Sequence, residues 1–266
     1  MRNNNLLEER YWYGNLTGIV KKKTFPHYFH NFYKPPACFF KVMAPYIVIP
    51  AYNEEEKIFQ VVKSLKNEGF PNVIVVDDGS SDKTSEKAKL AEATVLRHIT
   101  NQGQGAALQT GMDWALDQGA NVVVTFDADG QHQPGDIKDL VEPVMNNKVD
   151  VALGSRFLDK KSNVPIIRKL FLKAGTILLL VMYNIKLTDC HNGLRAFSSK
   201  ALSKFKITQN GMEHASEIVE KIAKHKISYV EVPVTIRYSE YSLKKGQKTS
   251  NAFKILTKMA LKKLMK

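Results

Sequence analysis

Two carboxylates, Asp127 and Asp129, follow directly on an apolar run of strand length, 121–126. A continuous run of Val residues predicts a buried strand of a parallel sheet, and open α/β sheets bind ligands beyond the carboxyl ends of such strands. Two carboxylates at that place repel each other unless a cation lies between them or one of them holds a proton. Oxygen ligands that leave coordination positions open suit Mg²⁺ or Mn²⁺ bound to phosphate oxygens. The pair therefore predicts a metal–diphosphate site, with an ordinary solvated turn as the alternative.

The residues after the pair add ligand atoms to it. Gly130 lets the backbone turn sharply, because glycine adopts conformations that are closed to other residues. Gln131 and His132 supply an amide oxygen and a ring nitrogen. These side chains extend the candidate metal site, but a short Asp-x-Asp-Gly sequence is also a common kind of turn, so the rest of the chain has to decide.

The composition is that of an ordinary globular protein with an uneven distribution of charge. The 266 residues suffice for one large domain, alone or with appendages, and 44% of them are apolar. The net charge is +13, and the segment 237–266 holds nine Lys or Arg residues with Glu240 as its single acid. Such a basic segment suits anionic lipid, nucleic acid or phosphorylated substrates.

The sequence predicts neither a membrane span nor a secretion signal. The nearest candidate for a span, the apolar run 174–183, is well short of the roughly 18 residues that cross a bilayer. The N-terminus lacks the apolar core of a signal peptide, and the distant cysteines Cys38 and Cys190 do not make a disulfide framework. We therefore expect a reducing, cytoplasmic setting.

Strand and helix patterns alternate between residues 46 and 154, which predicts a doubly wound, mostly parallel sheet flanked by helices. The predicted strands are 46–50, 72–77, 93–98, 121–126 and 149–154, and the predicted helices between them are 54–67, a helix capped by Ser81 or Asp82 that ends near 91, 103–118 and 134–146. After Arg156 the alternation stops. Helices are then predicted at 165–183 and 212–225, with a strand at 227–232.

The chain divides into three predicted parts. Residues 1–44 form an extension that is poorly ordered or loosely docked, residues 45–240 form the α/β domain, and residues 241–266 form a basic loop and a helix that starts near Asn251. An apolar stripe opposite lysines makes this helix amphipathic, and its members are Phe253, Leu256, Ala260 and Leu264. Such a helix can lie in an anionic membrane interface, or it can pack on the domain.

Four loops, of which the last is the one with Asp127 and Asp129, follow the predicted parallel strands, so they converge at one edge of the sheet. The first carries Tyr52, whose ring can stack on a base, and Glu54, which can accept from base or ribose donors. The second, 77–82, places acids where ribose or base is bound in such sheets. The third, 101–106, opens a helix with two glycines, which permits an anion to approach or allows tight packing. A dinucleotide-binding fingerprint fails there because Leu108 occupies the third glycine position.

Taken in order, the loops resemble those of the family 2 glycosyltransferases, which have the GT-A nucleotide-diphospho-sugar transferase fold. The most similar branch is that of the dolichol-phosphate mannosyltransferases and polyprenyl-phosphate glycosyltransferases. The resemblance covers about residues 46–240 and rests on the segments Ile49–Glu55, Val75–Asp82, Asn101–Ala107, Phe126–His132, Gly154–Phe157 and Thr188–Phe197. Each segment is weak alone, whereas the ordered set is specific.

The resemblance implies a role for each matching residue. Around the nucleotide and its sugar it places Pro50, Tyr52, Glu54, Asp78, Gly105, Asp127 and Ala128. At the metal it places Asp127 and Asp129, with Gln131 as an additional ligand. It assigns catalytic roles around phosphate and sugar to Asp127, Asp129, Arg156, Asp189 and Arg195, and the binding of an acceptor phosphate to Arg237, Lys245 and Lys248.

The implied reaction is the inverting transfer of a sugar from a UDP- or GDP-sugar to a polyprenyl phosphate, with Mg²⁺ or Mn²⁺ as cofactor. A phosphate acceptor is already ionised near neutral pH, whereas a saccharide hydroxyl needs a general base. The saccharide-acceptor branch often uses a Glu-Asp pair as that base, and Glu213-His214 is the nearest equivalent here, with Glu217 as another acid that could line the site. Transfer to a saccharide hydroxyl in cell-surface polysaccharide synthesis therefore stays open as the alternative acceptor.

The expected partners follow from the same resemblance and from the charge. They are a nucleotide-sugar donor, a lipid phosphate, the cytoplasmic face of a membrane and a membrane-anchored protein, with the enzyme itself peripheral. A nucleic-acid-binding protein is the remote alternative suggested by the net charge of +13. The basic residues are concentrated in one segment and no nucleic-acid motif is present, so we expect no nucleic-acid partner.

Overall fold

The computed structural model describes residues 12–14, 44–158 and 166–237. Its eight strands form one sheet in the order β1-β8-β6-β7-β5-β2-β3-β4, with bounds β1 Trp12–Gly14, β2 Tyr46–Ala51, β3 Asn72–Asp77, β4 Thr94–Arg97, β5 Val122–Thr125, β6 Val151–Ser155, β7 Arg195–Ser198 and β8 Tyr229–Pro233. The helices are α1 Ile58–Asn67, α2 Thr84–Leu90, α3 Gln104–Asp117, α4 Asp136–Met145, α5 Ile166–Tyr183, α6 Ser199–Leu202 and α7 His214–Lys224. Apart from β1, the predicted N-terminal extension lies outside the described residues, as does the predicted basic segment with its amphipathic helix.

The predicted parallel arrangement is confirmed for the first half of the sheet. Strand β2 pairs in parallel with β3 on one side and with β5 on the other, and β3 pairs in parallel with β4. The pairing of β2 with β5 ends at Val48, so Pro50, which has no N–H to donate, stands beyond the last paired residue on that side. The loops after β2, β3, β4 and β5 therefore leave the sheet at the same edge, as the sequence predicts.

The second half of the sheet contains an antiparallel strand that the sequence patterns do not predict. Strand β7 lies between β5 and β6 and runs antiparallel to both, so Arg195 is opposite Thr125 on one side and Leu153 on the other. Strand β8 then pairs in parallel with β6, and β1 pairs antiparallel with β8 at the outer edge. Because β7 has only four residues and is buried on both sides, it shows neither the alternation nor the length that marks a strand in a sequence.

Helices cover both faces of the sheet, which gives the doubly wound arrangement its two cores. Helices α1, α2 and α4 pack on one face, around Leu65 and Leu140. Helices α3, α5, α6 and α7 pack on the other, around Met112 and Ile218. The two layers hold the parallel strands rigidly, so the loops at the carboxyl edge are fixed relative to one another.

The first helix begins later than predicted, because side chains near the end of β3 accept hydrogen bonds from the backbone N–H groups that precede it. Asn53 has a positive φ of 53° and its N–H donates to Ser80 Oγ at 2.9 Å. The N–H of Glu54 donates to Thr84 Oγ1 at 2.8 Å. These bonds join the loop after β2 to the loop after β3, and regular helix starts at Ile58 rather than at Glu54.

Helix α3 lies unusually close to the sheet at Gly111. A Cβ at this glycine would come to 3.0 Å from Val76 Cγ2 and closer still to Val48 Cγ1, and both valines are buried. We expect Gly111→Val to lower the free energy of unfolding by about 1–3 kcal/mol through overpacking. Urea denaturation measures this, with Gly135→Val as the matched control, because a Cβ at Gly135 has nothing within 4 Å. Equal stability losses in the two variants would contradict the close approach of α3.

Candidate active site at the carboxyl edge of the sheet

The carboxylate of Asp127 is held at the end of β5 by side chains from two other places in the chain. His132 Nε2 lies 2.9 Å from Asp127 Oδ2, and Gln104 Nε2 donates to Oδ1 at 3.3 Å. The backbone of Gly193 lies against the same group, because a Cβ there would come to 2.7 Å from Oδ1 and closer still to Oδ2. The Asp127 side chain nevertheless keeps 32% of its surface exposed, so a ligand can reach it.

The two carboxylates differ in their electrostatic surroundings. Burial raises the pKa of Asp127, but the hydrogen bond with His132 and the attraction of His132 and Arg195 outweigh it and hold the pKa below its ordinary value. Burial raises the pKa of Asp129, and the negative charge of Asp127 raises it further. The pair therefore shows the like-charge repulsion that a bound cation would relieve.

The turn after the pair is fixed to the end of the sheet. Gln131 donates to Asp129 twice, from its backbone N to Oδ1 at 3.0 Å and from Nε2 to Oδ2 at 2.5 Å. Arg237 N donates to Gln131 O at 3.0 Å, and His132 forms an isolated antiparallel bridge with Ile236. These contacts bring exposed Arg237 beside the carboxylate pair, whereas the other two predicted acceptor-phosphate residues, Lys245 and Lys248, lie outside the described residues.

The donor set fits a divalent cation that shares its coordination with a ligand. Asp127 and Asp129 supply carboxylate oxygens, and the Gln131 side chain that touches Asp129 supplies an amide oxygen. In the described part of the chain, no three His, Cys, Asp or Glu side chains come together to enclose a metal. Mg²⁺ and Mn²⁺ suit this arrangement, because such ions are commonly held by one or two carboxylates together with waters and substrate phosphates.

The predicted nucleotide residues divide into exposed and enclosed ones. Tyr52 has 47% of its surface exposed at the edge of the sheet, where its ring is free of the core. Pro50 and Ala128 are buried at or just beyond the ends of their strands, and their role at the nucleotide stays a prediction. Asp78 is only 3% exposed, and its carboxylate accepts from Gln102 N at 2.9 Å and from Gly103 N at 2.7 Å. The Asp78 carboxylate therefore holds the backbone at the start of the glycine loop, 101–106.

The second glycine of that loop makes a packing contact. Gly105 N donates to Asn210 O at 2.7 Å, and a Cβ at Gly105 would come to 2.9 Å from His214 Cβ and closer still to Gln209 O. Glu217 holds the same segment, since its carboxylate accepts from Thr208 N at 3.0 Å and from Gln209 N at 2.8 Å. The tight packing that the sequence left open is thus present, and Glu217 serves as an acceptor for this loop.

Arg156, Asp189 and Glu231 form a buried chain of contacts beside the site. Arg156 donates to Asp189 Oδ2 from its backbone N at 3.2 Å and from Nε at 2.6 Å. Glu231 on β8 accepts from Asp189 N at 3.0 Å and from Thr188 N at 2.9 Å. Glu231 is absent from the residues predicted from the sequence, although a single acid inside the apolar run of β8 is the signal that could have identified it.

Two further basic side chains complete the enclosed part of the site. Arg195 is 3% exposed; burial lowers its pKa, while the negative charges of Asp127 and Asp189 oppose this. Burial also lowers the pKa of His214 to about 4, with a contribution from Arg195, so this imidazole is neutral near neutral pH. Its Nδ1 lies 2.8 Å from Gly211 O, which can only accept, so Nδ1 carries the proton.

The close approach of Gly193 to Asp127 gives a direct test of the carboxylate geometry. We expect Gly193→Ala to displace the Asp127 carboxylate and to weaken Mn²⁺ binding by at least about tenfold, the size of effect seen when contacts that orient metal ligands are lost. Electron paramagnetic resonance titration of Mn²⁺ measures this, with Gly135→Ala as the control at an open position. Unchanged Mn²⁺ affinity in a folded Gly193→Ala protein would contradict the assigned site.

Comparison with known proteins identifies the family. The sequence profile of glycosyl transferase family 2 matches residues 46–205. The UDP-N-acetylglucosamine–dolichyl-phosphate N-acetylglucosaminyltransferase of Methanococcus voltae is 34% identical over 242 residues, which cover 83% of this chain and 96% of that protein. The undecaprenyl-phosphate mannosyltransferase of Micrococcus luteus is 34% identical over 200 residues, which cover 71% of this chain and 81% of that protein.

A solved structure supports the fold. Glucosyl-3-phosphoglycerate synthase from Mycobacterium tuberculosis, in complex with Mn²⁺, UDP and glucosyl-3-phosphoglycerate, superposes with a TM-score of 0.62 at 17% identity, covering 85% of this chain and 82% of that one. At this identity the likeness shows the architecture alone, and it confirms the GT-A fold predicted from the ordered loops. The family profile extends over more than half of the chain and the relatives over more than two thirds of it. The chain is therefore a glycosyltransferase and belongs to glycosyltransferase family 2.

Proposed function

We propose that this enzyme transfers a sugar, with inversion, from a nucleotide diphosphate sugar to a polyprenyl phosphate. The observation that carries the proposal is the carboxylate pair Asp127 and Asp129 at the end of β5, joined through Gln131 to the backbone of Arg237. The backbone of Arg237 therefore lies beside the proposed metal–diphosphate site, which supports its exposed side chain as a partner of the acceptor phosphate. Two relatives, one named for dolichyl phosphate and the other for undecaprenyl phosphate, support the choice of a lipid phosphate as acceptor.

The metal would be Mg²⁺ or Mn²⁺, held by Asp127 and Asp129 with Gln131. When bound, it would neutralise negative charge that develops on the departing diphosphate. Among the described residues, Arg156, Arg195 and Arg237 are cations near this edge that could assist in this neutralisation. Because Arg156 and Arg195 are buried, their charges act in a medium where they are worth more than in water.

Two acids at this edge, Asp189 and Glu217, are engaged in ways that favour a phosphate acceptor over a hydroxyl, while Glu213 stays the candidate base for the alternative. A hydroxyl acceptor needs a carboxylate that can reach it and take its proton. The side chain of Asp189 is fully buried and bound to Arg156, and Glu217 is committed to the backbone of the 208–209 segment. A polyprenyl phosphate is already ionised near neutral pH and makes no such demand.

The surface of α5 supports a peripheral position on a membrane, which we propose to be on its cytoplasmic face. Where the structure describes the side chains of α5, the large exposed apolar ones follow helical spacing and are Leu170, Ile177, Leu180 and Val181, with 64%, 62%, 40% and 73% of their surfaces exposed. Lys169 and Lys173 are exposed beside them. An apolar stripe flanked by lysines suits the interface of an anionic bilayer. Across the described residues, we find no helix with both the length and the apolarity that crossing a membrane requires.

The proposed function is tested by supplying donors and acceptor together. The full chain is incubated with Mn²⁺ and radiolabelled UDP-N-acetylglucosamine or GDP-mannose, with and without polyprenyl phosphate, and the products are partitioned into organic solvent. We expect label in the organic phase only when the lipid phosphate is present. Label transferred to a soluble saccharide would support the alternative acceptor, whereas tight oligonucleotide binding without turnover of any sugar nucleotide would indicate a nucleic-acid-binding protein.

The role of the carboxylate pair predicts the effect of Asp129→Asn. Loss of this metal ligand should lower transfer about a hundredfold or more, since electrostatic stabilisation of the leaving group is commonly worth that much. The melting temperature should stay near that of the native protein. Asp139→Asn is the matched control, because Asp139 is an exposed acid on α4. Full activity with normal metal dependence in Asp129→Asn would overturn the site.

The exposed face of α5 predicts a loss of membrane binding without a loss of stability. The double variant Ile177→Glu, Val181→Glu should sediment less with vesicles that contain anionic lipid, because both side chains would carry charge into the interface. Leu90→Glu is the control, since Leu90 on α2 is 64% exposed at a distant position. If the double variant and the control sediment equally with the vesicles, α5 does not bind the membrane.

A further inference from the structure

A carboxylate with almost no access to solvent lies behind the candidate site. Glu231 is 4% exposed on β8, between Val230 and Val232, which belong to one of the two apolar cores. Its register partner on β6 is Leu153, which packs in the core on the other face. A carboxylate in such a place loses its hydration and needs several donors to persist.

Within the described residues, the donors to Glu231 come from two consecutive residues of the segment before β7. Thr188 N is 2.9 Å from both carboxylate oxygens, Thr188 Oγ1 donates to Oε1 at 2.9 Å, and Asp189 N donates to the same oxygen at 3.0 Å. Ser155 Oγ lies 2.6 Å from Thr188 Oγ1. Because the Thr188 hydroxyl gives its hydrogen to Glu231, Ser155 is the donor in that contact.

The residue fixed in this way holds Arg156. Both Arg156 N and Arg156 Nε donate to Asp189 Oδ2, and the side chains of Asp189 and Arg156 are 0% and 6% exposed. Asp189 Oδ1 also accepts from His191 N at 3.3 Å. Glu231 therefore holds the backbone from which the Asp189 side chain reaches Arg156.

We propose that Glu231 is a positioning residue of this transferase, whose carboxylate fixes the Thr188–Asp189 backbone so that Asp189 holds Arg156 at the donor phosphates. The inference rests on the proposed function, which assigns Arg156 to the donor. A neutral side chain would serve a purely structural purpose better, because burial of an unpaired or ionised acid costs stability. A carboxylate suits this position because two N–H groups and one hydroxyl donate to it, and its two oxygens accept three hydrogen bonds better than the single oxygen of an amide does.

The ionisation of Glu231 gives the proposal a second observable. Burial raises the pKa of Glu231 to about 7, against the donors on Thr188 and Asp189, which lower it. The titratable and charged groups that face it are Asp189 on the segment before β7 and Tyr229 on its own strand, with Arg156 beyond Asp189. Protonation would place an O–H among donors and leave fewer lone pairs for them, so the segment is held best above pH 7.

The sign of the stability effect is opposite to that of the activity effect. The folded protein keeps a proton on Glu231 at pH values where the unfolded chain, with its ordinary pKa of 4.5, has lost it. Stability from this group therefore falls as pH rises from 4.5 towards 7, while the positioning of Arg156 improves. A neutral Glu231→Gln variant should gain stability relative to the native protein on going from pH 5 to pH 8.

The test compares Glu231→Gln with Glu142→Gln, since Glu142 is an acid on α4 whose side chain is 53% exposed. We expect kcat to fall between about ten- and a hundredfold in Glu231→Gln, the cost of a small misplacement of a binding group. The rise of kcat through pH 7 should be reduced, and hydrogen exchange at the amides of Thr188 and Asp189 should be faster without any substrate. Glu142→Gln should match the native protein in all three measurements.

Native kcat and an unchanged pH profile in Glu231→Gln would overturn the proposal, whatever happens to stability. If that variant does not fold, Thr188→Val removes one donor and keeps the side-chain shape; an unchanged kcat there would also overturn it. If the native chain transfers sugar from neither UDP-N-acetylglucosamine nor GDP-mannose, the proposed function fails for these donors. Hydrogen exchange then tests only whether Glu231 fixes the Thr188–Asp189 backbone. Exchange in Glu231→Gln as slow as in the native protein at these two amides would contradict that.

Discussion

The negative charge of Asp127, which is only partly exposed, is the constraint around which the rest of the site is arranged. The carboxylate stands at the end of a buried strand, where a lone charge would be costly, and it persists because His132, Gln104 and Arg195 surround it. These partners come from the turn that follows, from the first residue of α3 and from β7. A single charge therefore brings together elements that are distant in sequence, and the backbone of Gly193 packs against the same carboxylate.

Strand β7 makes this arrangement possible. By entering the sheet antiparallel between β5 and β6, it carries the segment before it across the carboxyl edge, so that Gly193 meets Asp127 and Asp189 meets Arg156. A parallel strand in that position would begin at the opposite edge and would leave the site open. The contacts from Glu231 through Asp189 to Arg156 also join distant segments. Glu231 accepts from the backbone of Asp189, and the Asp189 carboxylate accepts from Arg156.

Much of the fold follows from the sequence, because β2 to β6 and the helices between them show strong periodic signals and end in loops of recognisable chemistry. The position of Asp127 and Asp129 just beyond a buried strand is predictable for the same reason, and their role as metal ligands stays a prediction that rests on two neighbouring carboxylates and on the agreement of the other loops. Strand β7 is not predictable from local pattern, because its partners lie far away in the chain. Asp78 illustrates a second limit, since its residue type does not indicate that its carboxylate is buried and accepts from the backbone of the glycine loop, while its role at the nucleotide stays a prediction. Burial of that kind depends on tertiary packing, which no motif reports.

A divalent cation shared between the protein and a diphosphate at the carboxyl edge of β5 is the feature on which the proposed chemistry depends. Crystals grown with Mn²⁺ and UDP, measured at a wavelength where manganese scatters anomalously, test it most directly. We expect one manganese peak in contact with Asp129 and with diphosphate oxygens. It should lie close to Asp127, on the side of that carboxylate that does not face Gly193. A manganese peak elsewhere, or UDP bound at this edge with no metal between its phosphates and the carboxylates, would contradict it.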